Sequence, residues 1–342
     1  MHSAVRAFRA NFVEGRFTSI LISILILGMR LLMFNEKGIP TNTSGSTYSN
    51  NYLWHHLSYL FSNPLVSFAA STLSIFIIAW IISIMNNRFG LIRVRTNLPF
   101  IIPLILLSLY PYFLSMSGDY VAIIFILFAF FPLLESYQKS TSYLYSFKSS
   151  ILIATASLFQ IYALTLIPLL WRGEHTMRGP QPRSTVSSLF GLLLVYGSAF
   201  SIFFVKDDVT GFLLPLNTIM NVSLPLLPEF TLFEWIVAAF ILLFFVLHMV
   251  FSINTYGRDK VLTLNFMQFA VFLIIFVLLL QVLYWAQTLF FLTLAIILIS
   301  YLSSYFYSRT SSRNHIYLAY IMTILMLLIY LSHFFPLPTF LI

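Results

Sequence analysis

"SSILIATASLFQIYALTLIPLLW", residues 149–171, decides how this chain is threaded. It is apolar and long enough for one membrane crossing, which takes about 20 residues of helix. The polar stretch after it, 172–185, carries Arg172, Arg178 and Arg183 against a single acid, Glu174. If 149–171 crosses once, those arginines lie on the opposite side from Lys148. If it enters and comes back, they lie on the same side.

Composition sets the frame for that choice. The chain has 342 residues, 60% of them hydrophobic and only 8% charged, with a mean hydropathy of +0.93. A soluble domain carries about 25% charged residues, so this composition is that of a polytopic membrane protein with no separate soluble domain. The fold class expected is all-α, a transmembrane helix bundle over 1–342. The net charge of +8 is read as Lys and Arg held on cytoplasmic loops, with no nucleic-acid partner. The absence of Cys excludes disulfides, thiolate metal sites and thiol catalysis. The basic start (Arg6, Arg9, Arg16) and the apolar block 17–34 read as a retained first helix. Within it, 4–13 puts Val5, Phe8 and Phe12 on one face, the pattern of a short interfacial helix or of a basic tail.

Further apolar blocks lie at 64–85, 97–115, 120–134, 186–205, 233–252, 262–284, 287–307 and 315–335. If every block crosses once, nine loop cations fall on one side and eight on the other, against the asymmetry that orients membrane proteins. If 149–171 is a re-entrant pair of half-helices, the split becomes fifteen to two, with only Lys37 and Lys206 outside and Arg30 within the membrane. Making 120–134 the non-crossing block gives thirteen to four. The first reading yields about nine full spans plus one hairpin, with the N-terminus cytoplasmic and the C-terminus periplasmic. Each arm of a 23-residue hairpin reaches only about 17 Å, with Gln160 at the tip. Backbone broken at that depth must be buried in protein or line a wet cavity. Tyr52, Trp54 and Tyr59 near the outer face and Trp171 near the inner one fit interfacial belts.

Nucleotide, zinc-protease and nucleophile-elbow motifs are missing, and no cofactor or metal is expected. Arg30, about one turn from the outer end of the first helix, is a candidate for binding a lipid headgroup or phosphate, together with Lys37; Glu36 is its nearest acid. Asp207 and Asp208 open a large outer loop that Glu229 and Glu234 close. These read as solvated helix caps, or as an acid–base or cation-binding pair. His55-His56 point to different faces and read as part of an outer amphipathic segment.

"RVRTNLPFIIPLILLSLYP", "YVAIIFILFAFFPLLESYQKS", "SILIATASLFQIYALTLIPLLWRG" and "STVSSLFGLLLVYG", together covering about 86–205, resemble an uncharacterised family of inner-membrane proteins from Bacteroidetes-type bacteria. The same stretch is similar to the conserved membrane module of GT-C glycosyltransferases, which draw sugars from polyprenyl-phosphate donors at the outer face. That resemblance implies a GT-C-like module over 1–205, with 206–342 adding an outer loop and C-terminal helices, and it makes 35–63 the catalytic loop. Such enzymes generally use an Asp there, whereas Glu36 is the only acid in this loop. The function expected is therefore a non-catalytic subunit or scaffold of an envelope assembly or export complex, with membrane lipids and other inner-membrane proteins as partners. The alternative is a polyprenyl-phosphate-sugar transferase with Glu36, Asp119 or Asp207 as base. A transporter comes third.

Overall fold

The computed structural model describes residues 8–39, 51–139, 143–220, 232–257, 259–285, 288–309 and 313–334. Every regular element among them is helical. The longer helices, in chain order, are α1 (Arg16–Lys37), α2 (Pro64–Phe89), α3 (Leu98–Leu106), α4 (Gly118–Glu135), α5 (Leu144–Phe159), α6 (Ile167–Arg178), α7 (Pro182–Val205), α8 (Val209–Met220), α9 (Leu232–Tyr256), α10 (Val261–Leu283), α11 (Phe290–Ser308) and α12 (Arg313–Ser332). Seven helices are long and apolar enough to cross a membrane: Phe17–Lys37, Pro64–Phe89, Gly118–Glu135, Pro182–Val205, Val261–Leu283, Phe290–Ser308 and Asn314–Ser332. The chain is accordingly an integral, multi-pass membrane protein.

Local chemistry sets the helix ends. Asn63 caps α2 by accepting from the Leu65 N–H at 3.0 Å, with Pro64 at the first helical position. Gly90 ends α2 in the left-handed conformation, φ 56°, which costs glycine little. Block 97–115, expected as one span, is broken. The helix stops at Leu106 and resumes as a 3₁₀ turn, Pro111–Leu114, because Pro111 has no N–H to continue it and disfavours helix in the residue before it. Block 120–134, which looked short, belongs to the 18-residue α4 and ranks among the seven candidate spans.

Long-range contacts sort the helix ends into two groups. One gathers the start of α1 (Asn97 N–H to Val13 O, 3.0 Å), the ends of α2 and α4 (Arg88 to Glu135, 2.5 Å), the start of α5 and end of α6 (Arg178 to Ser146 Oγ, 2.6 Å), and the start of α10 (Asn265 to Thr176 O, 3.1 Å). The ends of α9 and α11 and the start of α12 join them, with the Phe251 and His315 rings 5.3 Å apart and Arg309 bonded to Asp259. Among the described residues this end carries Arg9, Arg16, Arg88, Arg93, Arg95, Lys139, Lys148, Arg172, Arg178, Arg183, Lys260 and Arg309 against the acids Glu14, Glu135, Glu174 and Asp259. It is the basic end. The opposite end holds Lys37, Lys206, Glu36, Asp207 and Asp208.

The hairpin around Gln160 is longer than the apolar block that signals it. Its rising arm, α5, begins at Leu144, spans about 24 Å at 1.5 Å per residue, and brings Phe159 O beside Gly118 at the far end of α4. Its returning arm, a 3₁₀ stretch Ile161–Leu166 followed by α6, ends at Arg178 beside Ser146. The extension, 144–148, carries Ser146, whose Oγ accepts from Arg178 at 2.6 Å, and inside the block Ser149 Oγ donates across to Ala129 O of α4 at 3.1 Å.

Helix α11 is buried on all sides and forms the centre, while α1, α7 and α12 are mostly exposed apolar surface at the periphery. That distribution suits helices that face lipid. Arg9–Val13 forms a short helix, as one of the two readings of 4–13 expected, with Phe8 and Val13 packed against Leu98, Ile102 and Phe306. Tyr52 and Trp54 are also buried, leaving only Tyr59 as an exposed aromatic of the expected belt.

Candidate functional site

Arg30 is fully buried, at 1% exposure. Its Nε donates to Thr72 Oγ1 at 3.1 Å, Nη1 to Leu107 O at 3.3 Å, and Nη2 to both Ser71 Oγ and Phe113 O at 3.0 Å. The break between α3 and the Pro111 turn supplies the two carbonyls, which a continuous helix would have consumed. Thr72, on α2, donates its O–H to Phe68 O at 2.8 Å, and Ser71 donates its own to Leu114 O at 2.6 Å with Phe68 O at 2.9 Å, so both present lone pairs to the guanidinium. The Phe68 ring lies 5.8 Å from the charge. Glu36, the acid expected nearby, is exposed on the last turn of α1 beside exposed Lys37.

Phe113 O also accepts from Tyr120 Oη at 3.1 Å, which ties the arginine to the first turn of α4. The residue before Tyr120 is Asp119, 1% exposed, whose Oδ1 accepts from Gln160 Nε2. Two residues singled out separately in the sequence, an outer acid and a hairpin tip, thus meet. Gln160 Nε2 also lies 3.5 Å from Thr288 Oγ1, in the break between α10 and α11. That break is laced by Gln281, which donates to Thr288 O at 2.9 Å and accepts from the Leu292 N–H at 2.7 Å. Asn51 Oδ1 takes the Ile161 N–H at 3.0 Å, just past the tip. Gly118 permits this assembly: a Cβ there would lie 2.6 Å from Phe159 O and 3.0 Å from Trp54 Cγ.

Side-chain amides and hydroxyls therefore satisfy backbone groups at every one of these breaks, as buried irregular backbone in a membrane requires. Asp119 is engaged in that lattice. Asp207 is exposed at a left-handed φ of 54°. Asp208 caps α8 by accepting from the Gly211 N–H at 2.9 Å and Thr210 Oγ1 at 3.1 Å, the ordinary role of an acid at a helix start. Glu229 and the side chain of Glu234 lie outside the described residues. His55 and His56 are exposed, and no group of three metal-ligating side chains occurs among the described residues.

Beside the polar layer lies a cavity of about 340 Å³. Its lining is almost wholly apolar and includes Leu106, Phe113, Phe245, Leu292 and Ile296, with no acid or base. Phe113 belongs to both features, its carbonyl to the arginine and its ring to the cavity.

Two further charged clusters sit at the basic end. Asp259, 1% exposed in its side chain, takes Arg93 at 3.5 Å together with Arg309 and Tyr305. Glu174 pairs with Arg178 at 3.3 Å, and burial pushes its carboxyl above the usual range. Loop charge counting treated both acids as background. Only distance along the chain hid the Asp259 cluster: Arg93 and Arg309 come from loops far from it in sequence.

No protein family, curated protein or solved structure matches this chain.

Proposed function

We propose that the chain is a non-catalytic subunit or scaffold in a bacterial inner membrane, its basic end in the cytoplasm, holding neighbouring inner-membrane proteins of an envelope assembly or export machine. Orientation follows from the sorting of cations to one end, since Lys and Arg are retained on the cytoplasmic side. The same sorting supports nine crossings plus the Gln160 hairpin, with 97–115 crossing as the broken α3 and Pro111 turn, and the C-terminal end periplasmic. Single cysteines test the threading in this Cys-free chain. With an impermeant thiol reagent applied to intact cells, Lys206→Cys is labelled and Arg183→Cys is not; the reverse pattern would overturn the orientation.

The observation that carries the scaffold reading is the condition of the candidate bases. A general base has to reach its acceptor within about 3 Å. Asp119 is buried and bonded to Gln160, Glu36 and Asp207 are exposed at the surface, and the neighbouring cavity has no acid in its lining. Asp119→Asn, Glu36→Gln and Asp207→Asn each restore growth or envelope integrity to a deletion strain. Mild extraction and native mass spectrometry then find the 39.4 kDa chain in a larger assembly with another inner-membrane protein.

A GT-C-type transferase is the second reading. It draws support from Asp119 standing at broken helices on the end proposed as outward. It is favoured if the chain extracts as a lone monomer and Asp119→Asn abolishes rescue at normal protein level.

A further inference from the structure

The cavity beside the Arg30 layer has a shape that narrows its occupant. Along α11 its lining runs from Leu289 to Ile299, a depth of about 15 Å at 1.5 Å per residue. That is half of a hydrocarbon core about 30 Å thick, so the cavity has the depth of one leaflet. Its almost wholly apolar lining suits a hydrocarbon chain entering from the bilayer.

The entrance faces lipid. Leu242, on α9, lines the cavity and is 61% exposed; Ile329, on peripheral α12, lines it too. The end away from the basic side is polar. Tyr110 lines it and meets His333 edge-on, ring centroids 5.2 Å apart, and α12 is tied to α1, the helix that Lys37 ends, by Tyr330 Oη donating to Met29 O at 2.8 Å. Lys37 is exposed and makes no ion pair among the described residues. With Lys206 it is one of the two cations at that end among the described residues.

We propose that this cavity is a lipid site, taking one acyl chain of a bilayer phospholipid through the gap between α9 and α12, with the lipid's anionic headgroup held at Lys37. The inference needs the chain to lie in a membrane; it is independent of whether the protein is a scaffold.

The test uses the delipidated full-length chain in detergent, titrated with dioleoyl phosphatidylglycerol and, separately, dioleoyl phosphatidylcholine, and read by native mass spectrometry. Both lipids give a single saturable adduct. Phosphatidylglycerol binds about two- to five-fold more tightly, the range of an exposed ion pair. Lys37→Gln removes that preference and leaves phosphatidylcholine binding unchanged. Leu242→Trp, at an exposed position in the entrance, weakens both lipids without lowering the melting temperature; Ile329→Trp supplies the same blockade should Leu242→Trp disturb the fold. Absence of a saturable adduct, or wild-type binding in both entrance variants, overturns the proposal. So does displacement of phosphatidylglycerol by an equimolar polyprenyl phosphate, which would assign the cavity to an isoprenoid. None of these results bears on partner assembly, so failure here is distinguishable from failure of the scaffold reading.

Discussion

Replacing Arg30 by Met tests how the buried charge is held. The substitution keeps an unbranched apolar stem and removes four hydrogen bonds. Three of the four acceptors keep other engagements: Ser71 still donates to Leu114 O or Phe68 O, Thr72 to Phe68 O, and Phe113 O still receives Tyr120. Leu107 O loses its guanidinium partner. One orphaned buried group costs about 1–3 kcal/mol, below the 3–5 kcal/mol that removal of a partner from a buried ion pair costs. Tyr120→Phe alone is milder, because Arg30 still serves Phe113 O. Together the two variants strip that carbonyl of both donors. The double variant is therefore less stable than the sum of the singles by more than the 0.3–0.5 kcal/mol scatter of independent sites. Reversible unfolding of all four proteins in mixed micelles measures the cycle. Additive behaviour, or a loss from Arg30→Met alone in the ion-pair range, would refute a guanidinium held by carbonyls and hydroxyls.

Gly118→Ala forces its new methyl against a backbone carbonyl that has little room to yield. Overpacking of this kind costs about 1–3 kcal/mol, and the variant melts earlier, while Gly28→Ala, which meets nothing within 4 Å, does not. Glu174 gives a pH signature. Its folded pKa is raised by burial, so the folded chain binds the extra proton, and the stabilisation is complete below the unfolded value of about 4.3 and lost as pH rises through the folded value. Hydrogen exchange across 167–185 accelerates over that window in the wild type, and Glu174→Gln flattens the dependence; an unchanged slope in the variant would remove Glu174 as its source.

The parts of this structure legible in the sequence were those written in apolar length and loop charge. The spanning blocks announce themselves, and the imbalance of Lys and Arg isolates 149–171 as the segment that turns back. What stayed hidden depends on which side chains meet. Block 97–115 reads as continuous because its apolar texture outweighs Pro103 and Pro111, yet the break there creates the carbonyls that receive Arg30. Asp119 and Gln160 stand out individually, but 41 residues separate them and no periodicity links them. Trp54 has the look of an interfacial anchor, and only its contact with Gly118 shows why it is inside. The cavity has no local signature at all, since its walls are ordinary apolar residues from five separate segments.

The Asp259 cluster also has a consequence in time. Arg93 leaves the ribosome 166 residues before Asp259. At about 5–20 residues per second, translation takes roughly 8–33 s to deliver the carboxylate that will neutralise it. Arg309 arrives 50 residues later still. The loop after α2 therefore waits without that partner until three-quarters of the chain has been synthesised. Closure of the basic end is a late event in biogenesis, and a chain truncated before Asp259 leaves that end unlatched.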